Sequence, residues 1–438
     1  MILNKPILRL AIPNIISNLS VPLLGVVDTA LVGHLDEVYY LGALAVGGMI
    51  FNFLFWGFGF LRMGTTGLTA HQYGAENRSE MILILGRVQL VALGLGLLIL
   101  LLKEPIAALS FWIIDSSREV EIYSLVYYDI RIFTAPAVLA LYGLKGWFLG
   151  MQNAKYPMVI TIFHNLLNIV LNIFFIHVMG MDVEGVAWGT LISTWIALIF
   201  AIYLFFRKYG NLLHHYIPKD FLETSELVKF FTVNRDIFIR TLCLIFTFSF
   251  FTVQSAAQGD LVLAANTILL QLWMVASYGI DGFAYSAESL VGRFMGGRQP
   301  EKLKKAVLYT MGWGLGLGLF GSLVYGLFGT QIVGIFTHQE DVIELASVVL
   351  FWTVLAPLVA SASYIWDGVF IGATATAPMR NTMMLATALV FLPVYYLGTH
   401  FIGIHGLWLA MVSFMLARGV ALTYYAPRYI LKREAGKG

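Results

Sequence analysis

One carboxylate stands inside a stretch that is otherwise apolar. Residues 7–33, ILRLAIPNIISNLSVPLLGVVDTALVG, are long and hydrophobic enough to cross a bilayer, and Asp28 lies well within them. An ionisable side chain at such depth costs about 2.5–3.5 kcal/mol on insertion scales, so by default it marks a functional site. The chemistry open to it is uptake of a proton or a cation, since neutralising a carboxylate removes its desolvation penalty. Ser17, Val21, Leu24, Gly25 and Asp28 share one helical face, a mixture that suits protein or water rather than lipid. Pro13 and Pro22 each delete a backbone hydrogen bond, so the helix can bend at them. The competing reading is an Asp tied to a polar neighbour for packing.

Other polar side chains sit at matching depth. Asp28 lies about six residues, roughly 9 Å, from the outer end of its span. Asn172 is similarly placed in the fifth span and Thr190 about five residues into the sixth. His164, Asn168 and Asn172, spaced by four, share one face. Asp28, Asn168, Asn172 and Thr190 therefore form a candidate site for H⁺, or for Na⁺ among hard oxygen ligands. A single carboxylate favours the proton, which neutralises the site completely. Inter-helix hydrogen bonding, worth about 0.6 kcal/mol per bond on average, is the alternative for the asparagines.

The second half differs. Ser277, Asp281, Tyr285 and Glu288 form a stripe on the eighth span, and Asp367 lies in the tenth. At the equivalent places in the first half stand Arg62 and Lys145. The three acids are expected either to attract cationic substrate or to pair with those two bases across a cleft. Salt bridging within each bundle is the alternative.

The elements that must position these residues are membrane spans. Of 438 residues, 59% are hydrophobic and 12% charged, against about 25% charged in soluble domains. Continuous apolar runs long enough for about 30 Å of hydrocarbon recur at 7–33, 41–72, 83–102, 123–150, 157–179, 185–206, 229–257, 261–292, 306–329, 346–372, 378–400 and 405–427. They do not alternate with period two, so helices rather than a barrel are expected. Lys and Arg collect in the N-terminal segment, the even-numbered connections and the tail (Lys432, Arg433, Lys437), whereas Asp36, Glu37, Asp115, Asp182 and Glu184 mark odd-numbered ones. Lys103, Arg118 and Arg131 are the charges that break this pattern, and the asymmetry predicts both termini on the cytoplasmic side. The N-terminus reads as the start of the first helix, not a cleavable signal.

The longest hydrophilic connection, 207–228, divides the chain into lobes 1–206 and 229–438. The lobes resemble each other at an offset of about 220: FLGMQNAKYPM at 148–158 matches FIGATATAPM at 370–379, and GVAWGTLIS at 185–193 matches GLWLAMVS at 406–413. Six spans per lobe give parallel repeats, the arrangement of alternating-access transporters. The fold class is thus an all-α polytopic membrane protein with twelve helices in two pseudo-symmetric six-helix bundles. Cys243 is the one cysteine, the nine histidines lack metal-ligand spacing, and no phosphate loop, dinucleotide motif or nucleophile elbow appears. Enzyme, metal-site, cofactor and nucleic-acid readings are accordingly set aside. The glycines of GWGLGLGLFG at 312–321 read as close helix packing.

The chain resembles the MATE (multidrug and toxic compound extrusion) family, in its DinF-like branch. PNIISNLSVPLLGVVDTALVGHL at 13–35 looks like that family's first helix, and IDGFAYSAE at 280–288 and WDGVFIGATATAPMRN at 366–381 resemble branch signatures. The resemblance implies export of lipophilic, often cationic compounds coupled to H⁺ or Na⁺ entry. It casts Asp28 as the coupling-ion site, Pro13 as the bend, Asn168 and Thr190 as polar partners, and Asp367 as an acid that some members need. Where many members carry a second Asp on the fifth helix this chain has Asn172, which concentrates the load on Asp28. The expected setting is a bacterial cytoplasmic (inner) membrane, with small substrates and lipid as partners and a monomer as the working unit. A flippase for lipid-linked saccharides, with a related fold, is the alternative within transport.

Overall fold

The computed structural model describes residues 3–35, 37–114 and 116–431; Asp36, Asp115, Lys432, Arg433 and Lys437 lie outside the described residues. Among the described residues, twelve helical spans are long and apolar enough to cross a membrane: α1 (Asn4–Val32), α2 (Val38–Gly74), α3 (Arg78–Leu101), α4 (Arg118–Gly150), α5 (Lys155–Val178), α6 (Val183–His215), α7 (Thr224–Ala257), α8 (Asp260–Gly296), α9 (Pro300–Phe336), α10 (Glu340–Gly372), α11 (Thr376–Ile402) and α12 (Ile404–Ile430). Among the described residues there is no strand.

Most spans outrun their apolar runs. α9 begins at Pro300, in the favoured first-turn position for proline, and carries Glu301, Lys302, Lys304 and Lys305 before its apolar part. Charged residues that are good helix formers continue the helix into water. The hydrophilic connection shortens for the same reason. α6 continues through Arg207 and Lys208, tightens into 3₁₀ turns over Gly210–His215, and α7 begins at Thr224. Arg87 on α3 holds what remains: it pairs with Glu80 and donates from Nε to the Phe221 carbonyl (2.9 Å) and from Nη2 to that of Asp220 (2.8 Å).

The chain falls into two compact units. One comprises Ile16–Thr65 and Asn77–Leu227; the other takes the residues up to Ile15, Thr66–Glu76, and Val228 onward. α1 contributes to both, changing unit just after Pro13, and it is α-helical through Pro13 and Pro22 alike. Its first half belongs with α8 and α9: Ser286 Oγ donates to the Ile7 carbonyl (3.0 Å) and Trp313 Nε1 to Asn4 Oδ1 (3.2 Å). Its second half is thinly covered, with Val21, Leu23 and Val26 56–66% exposed.

Small residues set the helix spacing inside each unit. Gly146 on α4 lies against the Arg62 carbonyl, and Gly368 on α10 against that of Ala284 on α8, too close for any side chain. Within the glycine run of α9, Gly314 faces Ile365 and Gly318 faces Pro357 and Ser361 of α10, the close packing its composition suggests.

The internal repeat is visible in the backbone. Among the described residues, four non-glycines take left-handed conformations, Glu76, Gln152, Arg298 and Thr374, at φ 52–60°. Glu76 and Arg298 are 222 residues apart, as are Gln152 and Thr374. Each follows a helix C-terminus and closes it by donating three residues back, at 2.9–3.3 Å. After three of them the next N–H (Asn153, Gln299, Ala375) donates five residues back to a phenylalanine carbonyl, at 2.9–3.0 Å. These are Schellman closures. π-Helical turns also recur, at Phe174–Val178 in α5 and Ala386–Phe391 in α11.

Candidate functional site

α1, α5 and α6 bring Asp28, Asn172, Asn168 and Thr190 together in one hydrogen-bonded chain. Asn172 Nδ2 donates to Asp28 Oδ1 (2.8 Å) and to Asn168 Oδ1 (3.1 Å). Asn168 Nδ2 donates in turn to Thr190 Oγ1 (3.1 Å) and Ser193 Oγ (3.3 Å). Ser193 and Thr194 hydroxyls both bond the Thr190 carbonyl, at 3.1 and 2.6 Å, and His164 Nε2 lies 3.2 Å from Thr194 Oγ1. The four-residue spacing on α5 stacks the asparagines on one face. Asn168 and Asn172 are fully buried, while Asp28 is partly exposed. One turn back on α5, Asn165 Nδ2 bonds the Ser20 carbonyl and hydroxyl of α1, both at 3.1 Å. Thus a few polar bonds hold the C-terminal half of α1 to α5.

A glycine makes the arrangement possible. A Cβ at Gly189 on α6 would fall on Asn172 Oδ1, so any side chain there pushes the amide away from Asp28. A π-helical turn starts two residues after Asn172, the kind of irregularity often found at functional positions. Beyond Asp28, an open cleft of about 360 Å³ is lined by His34, Leu35, Glu37, Tyr39, Tyr40 and Asp182. Tyr40 Oη donates to Asp182 there at 2.7 Å.

Arg131 on α4 is a charge seated among aromatic rings inside an apolar span. Its guanidinium carbon sits 4.8 Å from the Phe51 ring centroid and 5.4 Å from that of Tyr127. Its Nη1 donates to Tyr127 Oη at 2.5 Å.

The second-unit acids are less uniform than the sequence suggests. Asp367 finds its counter-charge in its own unit. Its Oδ2 accepts from Arg240 of α7 and from Arg418 Nη2 of α12 (2.5 Å). All three side chains are buried, and Arg418 is steadied by the Phe414 ring at 5.2 Å and by Met415 Sδ at 3.1 Å. This is salt bridging within one bundle, the alternative that the sequence left open for these acids. Lys145 donates to Thr161 Oγ1 of α5 at 2.9 Å, and Arg62 lends its carbonyl to the Gly146 contact. Glu288 is buried and Asp281 half-buried on α8. Ser277, on their stripe, bonds Tyr364 Oη at 3.1 Å.

Sequence reasoning missed Arg131, Gly189, Arg240 and Arg418. The arginines carried a signal, being charges inside apolar spans; the glycine carried none, because its meaning depends on what faces it.

The MatE family model matches residues 13–174 and again 237–397. DNA damage-inducible protein F of Escherichia coli K12 is 38% identical over 425 residues, covering 96% of this chain and 91% of that protein. Multidrug export protein MepA of Staphylococcus aureus is 21% identical over 413 residues, covering 93% and 90%. A solved MATE structure in the bent conformation superposes with a TM-score of 0.88 at 22% identity, covering 98% of this chain and 97% of that one.

Proposed function

The chain belongs to the MATE family, a family of transporters and not of enzymes, and on that premise we propose that it is a secondary active multidrug antiporter. It exports lipophilic and cationic compounds in exchange for H⁺, or Na⁺, by alternating access across the bacterial cytoplasmic membrane. The Lys and Arg distribution supports termini on the cytoplasmic side, and the similarity to MepA supports a multidrug substrate range.

The observation that carries the reading is the bond from Asn172 to Asp28 at the end of a buried polar chain. A hydrogen bond to an ionised carboxylate is worth about 1.5–3 kcal/mol, against 0.5–1.5 for a neutral one. An ion that arrives through the cleft beyond Asp28 and neutralises it weakens one of the few bonds holding the outer half of α1 to α5. The ion-loaded and ion-free forms thereby differ in the position of α1 they favour, which supplies the differential free energy a switch requires. Pro13 and Pro22 are the positions where α1 yields. Asp281 and Glu288 serve cationic cargo in the second unit, while Asp367 works through its two arginines.

The test is export from liposomes containing purified protein, driven first by an imposed pH gradient and then by a Na⁺ gradient. Asp28→Asn is expected to abolish gradient-driven export while the protein remains folded. Undiminished export by that variant would refute the assignment.

A further inference from the structure

We infer that Ser193 on α6 is a positioning residue of the Asp28 site: it fixes which end of the Asn172 amide meets the carboxylate, and thereby favours release of a proton from Asp28. The inference rests on the reading of Asp28 as the coupling-ion site and adds to it a residue two helices away.

A side-chain amide donates at one end and accepts at the other, a hydroxyl can do either, and a carbonyl can only accept. The direction of the chain therefore comes from its fixed ends. One is ionised Asp28, which takes an N–H. The other is the Thr190 main-chain carbonyl, which takes the Ser193 hydroxyl proton at 3.1 Å. With that proton committed, Ser193 Oγ is left to accept, and Asn168 Nδ2 donates to it at 3.3 Å. The second proton of that nitrogen goes to Thr190 Oγ1 at 3.1 Å. Asn168 thus turns Oδ1 toward Asn172, which answers with Nδ2, the nitrogen that also bonds Asp28. Ser193, Asn168 and Asn172 are at most 1% exposed, where an unmade hydrogen bond is costly.

The two ends agree while Asp28 is ionised and disagree once it is neutral. A carboxyl O–H seeks an acceptor, yet Asn172 Oδ1 is turned against Gly189 and makes no hydrogen bond among the described residues. Bringing that oxygen round means reversing both asparagines, so that Asn168 offers Oδ1 to the two hydroxyls of α6. The Thr190 hydroxyl can turn to meet it, since its proton has no other bond among the described residues. Ser193 can do so only by giving up the Thr190 carbonyl. Ser193 therefore keeps a donor on Asp28 in both charge states, which favours the ionised one. The titratable side chains of the surrounding elements are His164 on α5, Arg131 and Tyr127 on α4, Tyr39 and Tyr40 on α2 and Asp182 before α6; replacing Ser193 changes none of them.

The test is infrared spectroscopy of purified full-length protein, which reads the carboxyl stretch of protonated Asp28 as the band that Asp28→Asn removes. Ser193→Ala is expected to raise the pH at which the band is half-developed by about one unit, tenfold in proton affinity. It also shifts the band's frequency, because the carboxyl proton gains an amide acceptor. Ser193→Thr, which keeps the hydroxyl, behaves like wild type. In an Asn172→Leu background Ser193→Ala moves neither quantity, since the chain it acts through is cut. Ser193→Cys, with a weaker donor, gives a smaller shift in the same direction and stands in should Ser193→Ala fail to fold. An unmoved band in both variants, an equal shift with and without Asn172, or a wild type in which no such band appears overturns the inference. Export indifferent to the pH gradient, with the band shifts as expected, would sink the antiport reading and leave the role of Ser193 standing.

Discussion

Gly189→Ala is the most direct probe of the hydrogen-bonded chain, because one methyl group is placed where the geometry forbids it. The new Cβ would lie 1.9 Å from Asn172 Oδ1, far inside contact distance, with the Asn172 backbone nitrogen also close at 3.1 Å. Either the amide rotates out, or α6 moves off α5. Rotation forfeits two bonds from Asn172 Nδ2, at 2.8 and 3.1 Å. Inter-helix hydrogen bonds in membrane bundles average about 0.6 kcal/mol and reach about 1.7, and overpacking adds about 1–3 kcal/mol. The expected loss is therefore about 2–4 kcal/mol, read as a shift in reversible unfolding of the detergent-solubilised protein. The decisive measurement is a double-mutant cycle with Asn172→Ala, which removes the atom that the methyl group strikes. In that background Gly189→Ala should cost well under half as much, a coupling of about 1–2 kcal/mol. Additive effects, or a stable and fully active Gly189→Ala protein, would show that Gly189 does not hold the amide against Asp28.

Asp367→Asn should destabilise the protein by about 3–5 kcal/mol, the cost of breaking a buried pair, since two guanidiniums lose their shared carboxylate; an unfolding transition unchanged from wild type would return Asp367 to the substrate path. Arg87→Ala should expose the connection between α6 and α7 to limited proteolysis, because the Phe221 and Asp220 carbonyls lose their clamp; an unchanged digestion pattern argues against that role. Pro13→Ala, which restores a backbone donor to α1, should slow export while leaving drug binding to purified protein intact; an unaltered rate removes Pro13 as the bend.

What could be read in advance follows from the range of the forces involved. The twelve spans were legible because lipid demands long apolar runs, and connections that meet water carry Lys, Arg, Asp and Glu. Asn168 and Asn172 were legible because a spacing of four declares a shared face, and Asp28 because a charge in an apolar run has few innocent explanations. The partners of Asp367 were not, since Arg240 and Arg418 are 127 and 51 residues away and depend on the rotation of α7 and α12 about their own axes. Helix ends were less legible than apolar runs, because charged helix formers carry α9 beyond its apolar stretch. Gly189 was invisible because a glycine's importance lies in its neighbour, here the Asn172 side chain.

The four left-handed residues at the helix ends have a consequence for how the chain tolerates change. Each non-glycine in that conformation costs roughly 1–2 kcal/mol, yet Glu76, Gln152, Arg298 and Thr374 are of four different types. What persists between the halves is a backbone angle, held by main-chain atoms that every amino acid supplies. A saturation scan should accordingly show twin profiles at sites 222 residues apart, glycine welcomed and β-branched replacements resisted at both members of a pair. Ancestry of the two halves would then be recorded in which substitutions survive, long after the letters themselves have drifted apart.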